Sequence, residues 1–252
     1  MIRNERLLAQ KSISQIGKPV VKTKVKDPEL IKKKQQQICR GAMRVFRTKG
    51  FHAASIREIA QASRISLGSL YDYIEKKEDI LFLVHVQILD SIYHRLDESI
   101  ARFDNPVDQL VSALRELFLV ASQLKDEILF VYTETKSLEQ EYLAQVLQRE
   151  SDFVRAFEDL IRKGVNGGVF QCANADIFAN IITFLGALIP LRGWNILPRH
   201  SEAEVFEEII GLVLKGLNAQ AVQTHETKRL PTQAEKAAGN DAGREEKAAY
   251  RK

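Results

Sequence analysis

Apolar side chains recur along this chain at spacings of three, four and seven, the mark of amphipathic helices, and strand-like alternation is absent. Ile31, Ile38, Ala42, Val45 and Phe46 share one face of a first helix that ends at Gly50. Ser55 opens a short second helix, with Glu58 three residues on, a pair that can satisfy each other's free backbone amides. Ile56, Ile59 and Ala60 give that helix its buried side. A third short helix starts at Ser66 and carries Leu70, Tyr71, Tyr73 and Ile74. Glu78 and Asp79 lie in the first turn of a fourth, where carboxylates favour the positive helix end; it runs to about Phe103. Further helical runs cover roughly 106–122, 125–135, 137–164, 174–193 and 201–218, with Gly167-Gly168, Pro190 and Pro198 marking turns or kinks. The fold class is all-α.

The ends read differently. Residues 1–27 hold scattered lysines without an apolar stripe, and residues 219–252 are dominated by Ala, Gly, Lys and Glu. Both read as flexible tails, because neither can bury enough surface to offset the entropy of ordering. The domain reading is therefore a basic tail at 1–27, a three-helix unit at 28–80, a larger helical domain at 81–218 and a second tail at 219–252.

Charge sharpens this division. The chain has 252 residues and a formal net charge of only +4. Residues 1–49, however, hold 14 Lys/Arg against 3 Asp/Glu, whereas residues 81–218 hold 12 against 20. A basic head on an acidic body implies two different partners, one of them polyanionic. Two cysteines, Cys39 and Cys172, are too few for a disulfide framework or a thiolate metal site, and fit a reducing compartment. The first thirty residues have no signal-peptide core, and the longest apolar run, Ile177–Leu191, is shorter than a membrane span of roughly 20 residues. That run reads as a buried helix, and the protein as soluble, cytoplasmic and without a membrane partner. Five dispersed histidines and the lack of a Gly-rich phosphate loop argue against an enzyme, and no metal or other cofactor is expected.

The informative stretch is Ser55–Ile74. Two short helices joined by Ala62-Ser63-Arg64-Ile65 have the layout of a helix-turn-helix, with a recognition helix at 66–73 of a size to enter a major groove. Residues 38–81 resemble the DNA-binding domain of the TetR family of transcriptional regulators. Ala42, Val45, Phe46, Gly50 and Phe51 match its Ala-x-x-Val/Leu-Phe run ending in Gly-Phe, and Ser55, Ile59 and Ala60 match the segment that follows. Ser66, Gly68, Ser69, Leu70, Tyr71 and Tyr73 match its recognition pattern, and Lys77, Glu78, Asp79 and Ile80 its fourth-helix start. Arg64, Leu67, Ile74 and Lys76 depart from it.

The resemblance implies a double-stranded DNA operator as partner, with Arg57, Ser66, Ser69, Tyr71, Tyr73 and Lys77 at the DNA. Ser66, Tyr73 and Lys77 would hold phosphates, while Arg57, Ser69 and Tyr71 would reach base edges. The basic stretch 18–34 reads either as an arm along the DNA or as a solvated extension. Over 82–218 the resemblance is architectural. It implies a ligand-receiving and dimerising domain, with runs 174–193 and 201–218 pairing in a homodimer. Tyr132, Phe153, Phe157, Phe184, Arg192 and Trp194 are the ligand-binding candidates, although each aromatic also suits an ordinary core. The Glu139–Trp194 region is similar to members that sense acyl-CoA thioesters, which gives a repressor released by a small hydrophobic effector. The alternative, a helical scaffold or adaptor without DNA binding, leaves the Ser55–Lys77 arrangement an accident.

Overall fold

The computed structural model describes residues 21–219, and these residues form helices with no strand among them. Asp27 starts the first helix, α1 (Pro28–Ala53), by accepting from the backbone N–H groups of Glu29 and Leu30 at 3.0 and 3.2 Å. At Gly50 the helix breaks on a positive φ of 76°, which glycine adopts without a Cβ penalty, and Phe51 turns into the core. α2 (Ile56–Ser63) carries the expected capping box: Ser55 Oγ accepts from Glu58 N, and Glu58 Oε2 accepts from Ser55 N at 3.0 Å.

The recognition helix is shorter than its sequence suggests. α3 spans only Leu67–Leu70, capped by Ser66 Oγ on the amide of Ser69. After it the backbone tightens, with Asp72 and Tyr73 donating to carbonyls three residues back, so 71–73 form a turn. α4 (Lys77–Ile100) follows. Its first half packs into the core beneath the helix-turn-helix and its second half into the larger domain, so one rod spans both. Then come α5 (Pro106–Gln123), α6 (Lys125–Glu134) with a 3-10 turn at Thr135–Ser137, and α7 (Gln140–Asn166).

The run expected as one helix over 174–193 is two, α8 (Ala175–Leu185) and α9 (Leu188–Ile196), bent by 52°. At the bend Gly186 lies so close to α5 that a Cβ there would sit 3.0 Å from Leu117. Nor is the run buried throughout, since Ile177, Ile181 and Phe184 are exposed. Among the described residues no single helix is long and apolar enough to cross a membrane. α10 (Glu202–Gly216) closes the chain behind a second capping box, Ser201 with Glu204, and packs on α5.

Residues 1–20 and 220–252, and with them most of both expected tails, lie outside the described residues. The expected boundary at 27 is too late, because the chain already touches the core before it. Val21 is buried, Val25 lies against the core, and Lys24 N donates to Asp72 O at 2.9 Å.

Candidate DNA interface and ligand cavity

The helix-turn-helix is held from behind by side chains of α1. Gly41 brings α1 so near α2 that a Cβ would meet the Ser63 backbone at 2.7 Å. Gln37 Nε2 donates to Ser63 O at 2.7 Å and the Arg44 guanidinium to Ala62 O, which satisfies carbonyls at the end of α2 that no helical amide reaches. Arg64 then takes the left-handed conformation (φ 55°, ψ 45°) that starts the turn, and its amide bonds back to α2. Leu70 and Ile74, both fully buried, anchor the recognition segment.

Its outer side carries the candidate contacts. Arg57, Ser66 and Tyr71 are exposed and Ser69 is half-buried. Arg57 makes no ion pair among the described residues, so its guanidinium is available to a base edge or phosphate. The Ser66 hydroxyl accepts the cap bond and still has its proton to donate. Two expected phosphate ligands are placed otherwise. Tyr73 is only 5% exposed, its ring lodged in the core. Lys77 Nζ donates to the carbonyls of Phe51, His52 and Ala54 at 2.7, 3.0 and 3.0 Å and sits 4.8 Å from the Phe51 ring centroid. All three donors of its ammonium are thus committed to closing the loop between α1 and α2. Lys77 ties α4 to that loop, which the sequence did not signal.

Asp79 is a second tie. Buried at the start of α4, it accepts the amides of Glu75 and Lys76 at 2.7 and 3.1 Å on one oxygen and the Tyr142 hydroxyl at 2.7 Å on the other. The turn after the recognition segment is thereby bonded to α7.

In the larger domain α4, α5, α6, α7 and α8 enclose a cavity of about 250 Å3. Ile88, Leu89, Leu117, Ile128, Val131 and Phe153 make it mostly apolar, and His85, Tyr132, Glu150, Asn180 and Thr183 add polar groups. Burial pushes the His85 imidazole down to about 4, so it is neutral at physiological pH. Its Nε2 stands 3.5 Å from Thr135 Oγ1. Glu150 is exposed as a residue, yet its carboxyl at the rim is partly desolvated and held above the usual carboxylate range. No Lys or Arg is among the lining residues.

Of the expected ligand residues, Tyr132, Phe153 and Phe184 reach this cavity. Phe157 does not; it is fully buried and packs edge-on against Phe153, with ring centroids 5.4 Å apart. Arg192 and Trp194 are also elsewhere. The bend after α8 carries them onto α9, where Trp194 is exposed along a shallow groove beside Leu129 and the Arg192 guanidinium lies 5.9 Å from its ring. His85 and Glu150, the polar markers of the cavity, were missed because scattered titratable residues on separate helices leave no spacing signal. Cys39 is buried and its thiol is pushed up to about 12 by desolvation, which leaves it an inert core residue.

A helix-turn-helix braced on a long shared helix, with a mostly apolar cavity behind it, defines a DNA-binding regulator with a ligand-receiving domain. Comparison with known proteins agrees. Residues 38–84 match "Bacterial regulatory proteins, tetR family", and residues 104–217 match "Tetracyclin repressor-like, C-terminal domain". The HTH-type transcriptional regulator HbdR of Aromatoleum sp. (strain CIB) is 30% identical over 194 residues, covering 77% of this chain and 84% of that protein. Among solved structures, AibR in complex with isovaleryl coenzyme A and operator DNA superposes with a TM-score of 0.61 at 21% identity, covering 74% of this chain and all of that one. FadR from Bacillus subtilis in complex with stearoyl-CoA gives 0.62 at 17% identity, covering 72% and 98%. The chain belongs to the tetR family of bacterial regulatory proteins, and is an HTH-type transcriptional regulator.

Proposed function

We propose that this regulator is a repressor that binds a two-fold operator as a homodimer and is released by an acyl-CoA thioester. The observation that carries the reading is the position of α6. One face of this helix supplies Ile128, Val131 and Tyr132 to the cavity. The other supports the DNA-binding unit: Phe130 stacks on Phe46 of α1, with centroids 4.9 Å apart and planes 9° apart, and lies 6.2 Å from Phe51. Asp126 adds an ion pair to Arg47 of α1 at 2.8 Å. An occupant of the cavity therefore presses on the same helix that holds α1. If it fits one placement of the two recognition units better than another, it shifts their population and lowers DNA affinity by that difference.

The cavity chemistry supports a neutral acyl group. Its apolar walls accept a hydrocarbon chain, and without a lining cation nothing would pair with a free carboxylate. His85 is placed to hydrogen-bond a thioester carbonyl through the proton of its neutral imidazole, and Glu150 adds a polar group at the rim. At about 250 Å3 the cavity lies just below the usual range of about 300–1,000 Å3, which suits a short chain, with the nucleotide part outside. The complexes of AibR and FadR with acyl-CoA esters support the same class. At the DNA, Arg57, Ser69 and Tyr71 would read bases and Ser66 a phosphate. Tyr73 and Lys77 would set the recognition segment in place from within.

Thermal unfolding of the full chain against a panel of acyl-CoA esters of increasing length, free CoA and free fatty acids tests the reading. A matching ester at a hundred times its Kd stabilises the fold by about 2.7 kcal/mol. The same ester should release a bound duplex in a mobility-shift assay. A panel in which no ester raises the midpoint or displaces DNA sinks the effector assignment.

A further inference from the structure

The segment before α1 is organised beyond what a tail requires. From Val21 to Lys26 burial alternates: Val21 is buried, Thr23 and Val25 are half-buried, and Lys22, Lys24 and Lys26 are exposed. Such period-two alternation belongs to an extended chain with one face on a core, and it spaces the three lysines about 7 Å apart on the outer face. The segment is pinned along its length. Val21 is inserted in the core, Lys24 N is bonded to Asp72 O at 2.9 Å, and Asp27 is committed as the cap of α1. Asp72 follows Tyr71, the exposed aromatic of the recognition segment, so the segment runs beside the edge that faces DNA. Gln35 Nε2 on α1 bonds the neighbouring carbonyl of Tyr73 at 3.3 Å. None of the three lysines has an ion pair among the described residues. Residues 21–40 together hold seven Lys/Arg against two Asp/Glu.

Three like charges in a row on an ordered, exposed backbone repel only weakly in water and present a surface suited to a polyanion laid against them. We infer that residues 21–26 are a second DNA-binding element, a pinned basic strap whose Lys22, Lys24 and Lys26 hold backbone phosphates flanking the groove that the recognition segment enters. The inference rests on the chain being a DNA-binding regulator and adds a surface outside its helix-turn-helix. Phosphate contacts of this kind fix register and raise affinity while carrying no sequence information of their own. The strap also compensates for a helix-turn-helix segment, 50–80, with more acidic than basic residues.

The test uses the full chain and two duplexes: a 40-bp random-sequence pool, and the sequence enriched from that pool by repeated selection on the wild type. Affinity is measured by anisotropy as a function of salt. Replacing Lys22, Lys24 and Lys26 together by Gln should lower the slope of log K against log salt by two to three units, at about 0.9 per phosphate. Affinity at about 150 mM salt should fall roughly 10- to 100-fold, by a similar factor on both duplexes. A control changing Lys125, Lys136 and Lys215 to Gln removes the same charge from the larger domain and should leave the slope alone. A second variant, Val21→Ser, keeps the lysines but loosens their anchor, and should weaken the selected duplex at least threefold. An unchanged slope in the triple variant, or one matched by the control, overturns the strap. Wild-type affinity in Val21→Ser overturns the pinning. If the wild type enriches no sequence and ignores the pool, the DNA-binding reading itself fails, an outcome distinct from both.

Discussion

Burial keeps the His85 imidazole neutral, and that has a measurable consequence for stability. Its pKa in the fold is about 4, against an ordinary value of about 6.5 in the unfolded chain. Above pH 6.5 both states are neutral there and nothing is gained or lost. As pH falls below 6.5 the unfolded chain takes the proton first, so stability declines until about pH 4, where the folded state also protonates. The wild type should therefore lose about 2 kcal/mol more than His85→Gln between pH 7 and pH 5, read from urea unfolding of the two side by side. Parallel pH curves would show that the imidazole is solvated after all. Other single residues differ in how far the sequence declared them. Ser55 and Glu58 were legible because a capping box is local and has a fixed spacing. Lys77 and Tyr73 were not. Whether a lysine faces phosphate or three carbonyls depends on where Phe51 and Ala54 come to rest, and those lie more than twenty residues away. Arg64 illustrates the reverse: a residue that departs from the family pattern itself takes the left-handed conformation, at a cost of about 1–2 kcal/mol.

At the scale of elements, α6 touches both the cavity and α1 of the DNA-binding unit. Its existence and limits were apparent from periodicity, since 125–135 was expected and Lys125–Glu134 is found. That it is apolar on two sides, one for an effector and one for α1, follows only from what packs around it. Changing Phe130 to Leu keeps most of the apolar volume and removes the flat contact with Phe46. The expected result is nearly unchanged affinity for DNA alone and for effector alone, with the effect of one on the other reduced several-fold, measured by anisotropy with and without the acyl-CoA. Full coupling in this variant would move the connection to α4 or to the Asp79–Tyr142 bond. The split of 174–193 into α8 and α9 was hidden for a similar reason. Gly186 is unremarkable in sequence, and its close approach to Leu117 emerges only in the fold.

For the whole molecule, the exposed stripe Ile177, Ile181 and Phe184 on α8, with Leu212 on α10, is an apolar surface without a cover in one chain. These helices were expected to pair with a second copy, yet on α10 Ile209 and Leu217 are buried within the chain itself. The division was not legible because one helical periodicity serves both kinds of burial. Replacing Ile181 and Phe184 together by Glu should give a monomeric mass in light scattering at micromolar concentration. It should also cost at least 100-fold in affinity for a two-fold operator, because each recognition segment would then bind alone. A wild type that is already monomeric would sink the dimer. The polarity of charge fits this assembly. The basic residues gather at the DNA end, and the acidic domain is left to its twin and its effector.

Trp194 gives the molecule an optical property. It is the chain's single tryptophan, three quarters exposed, on the helix that packs against the far side of α6. All indole fluorescence therefore originates from one site, red-emitting and open to iodide quenching. The groove it lines also includes Leu129, next in sequence to Ile128, which touches the cavity. If an occupant of the cavity displaces α6, the surroundings of that indole change with it, and filling is then followed by emission alone, with no label attached to protein or DNA.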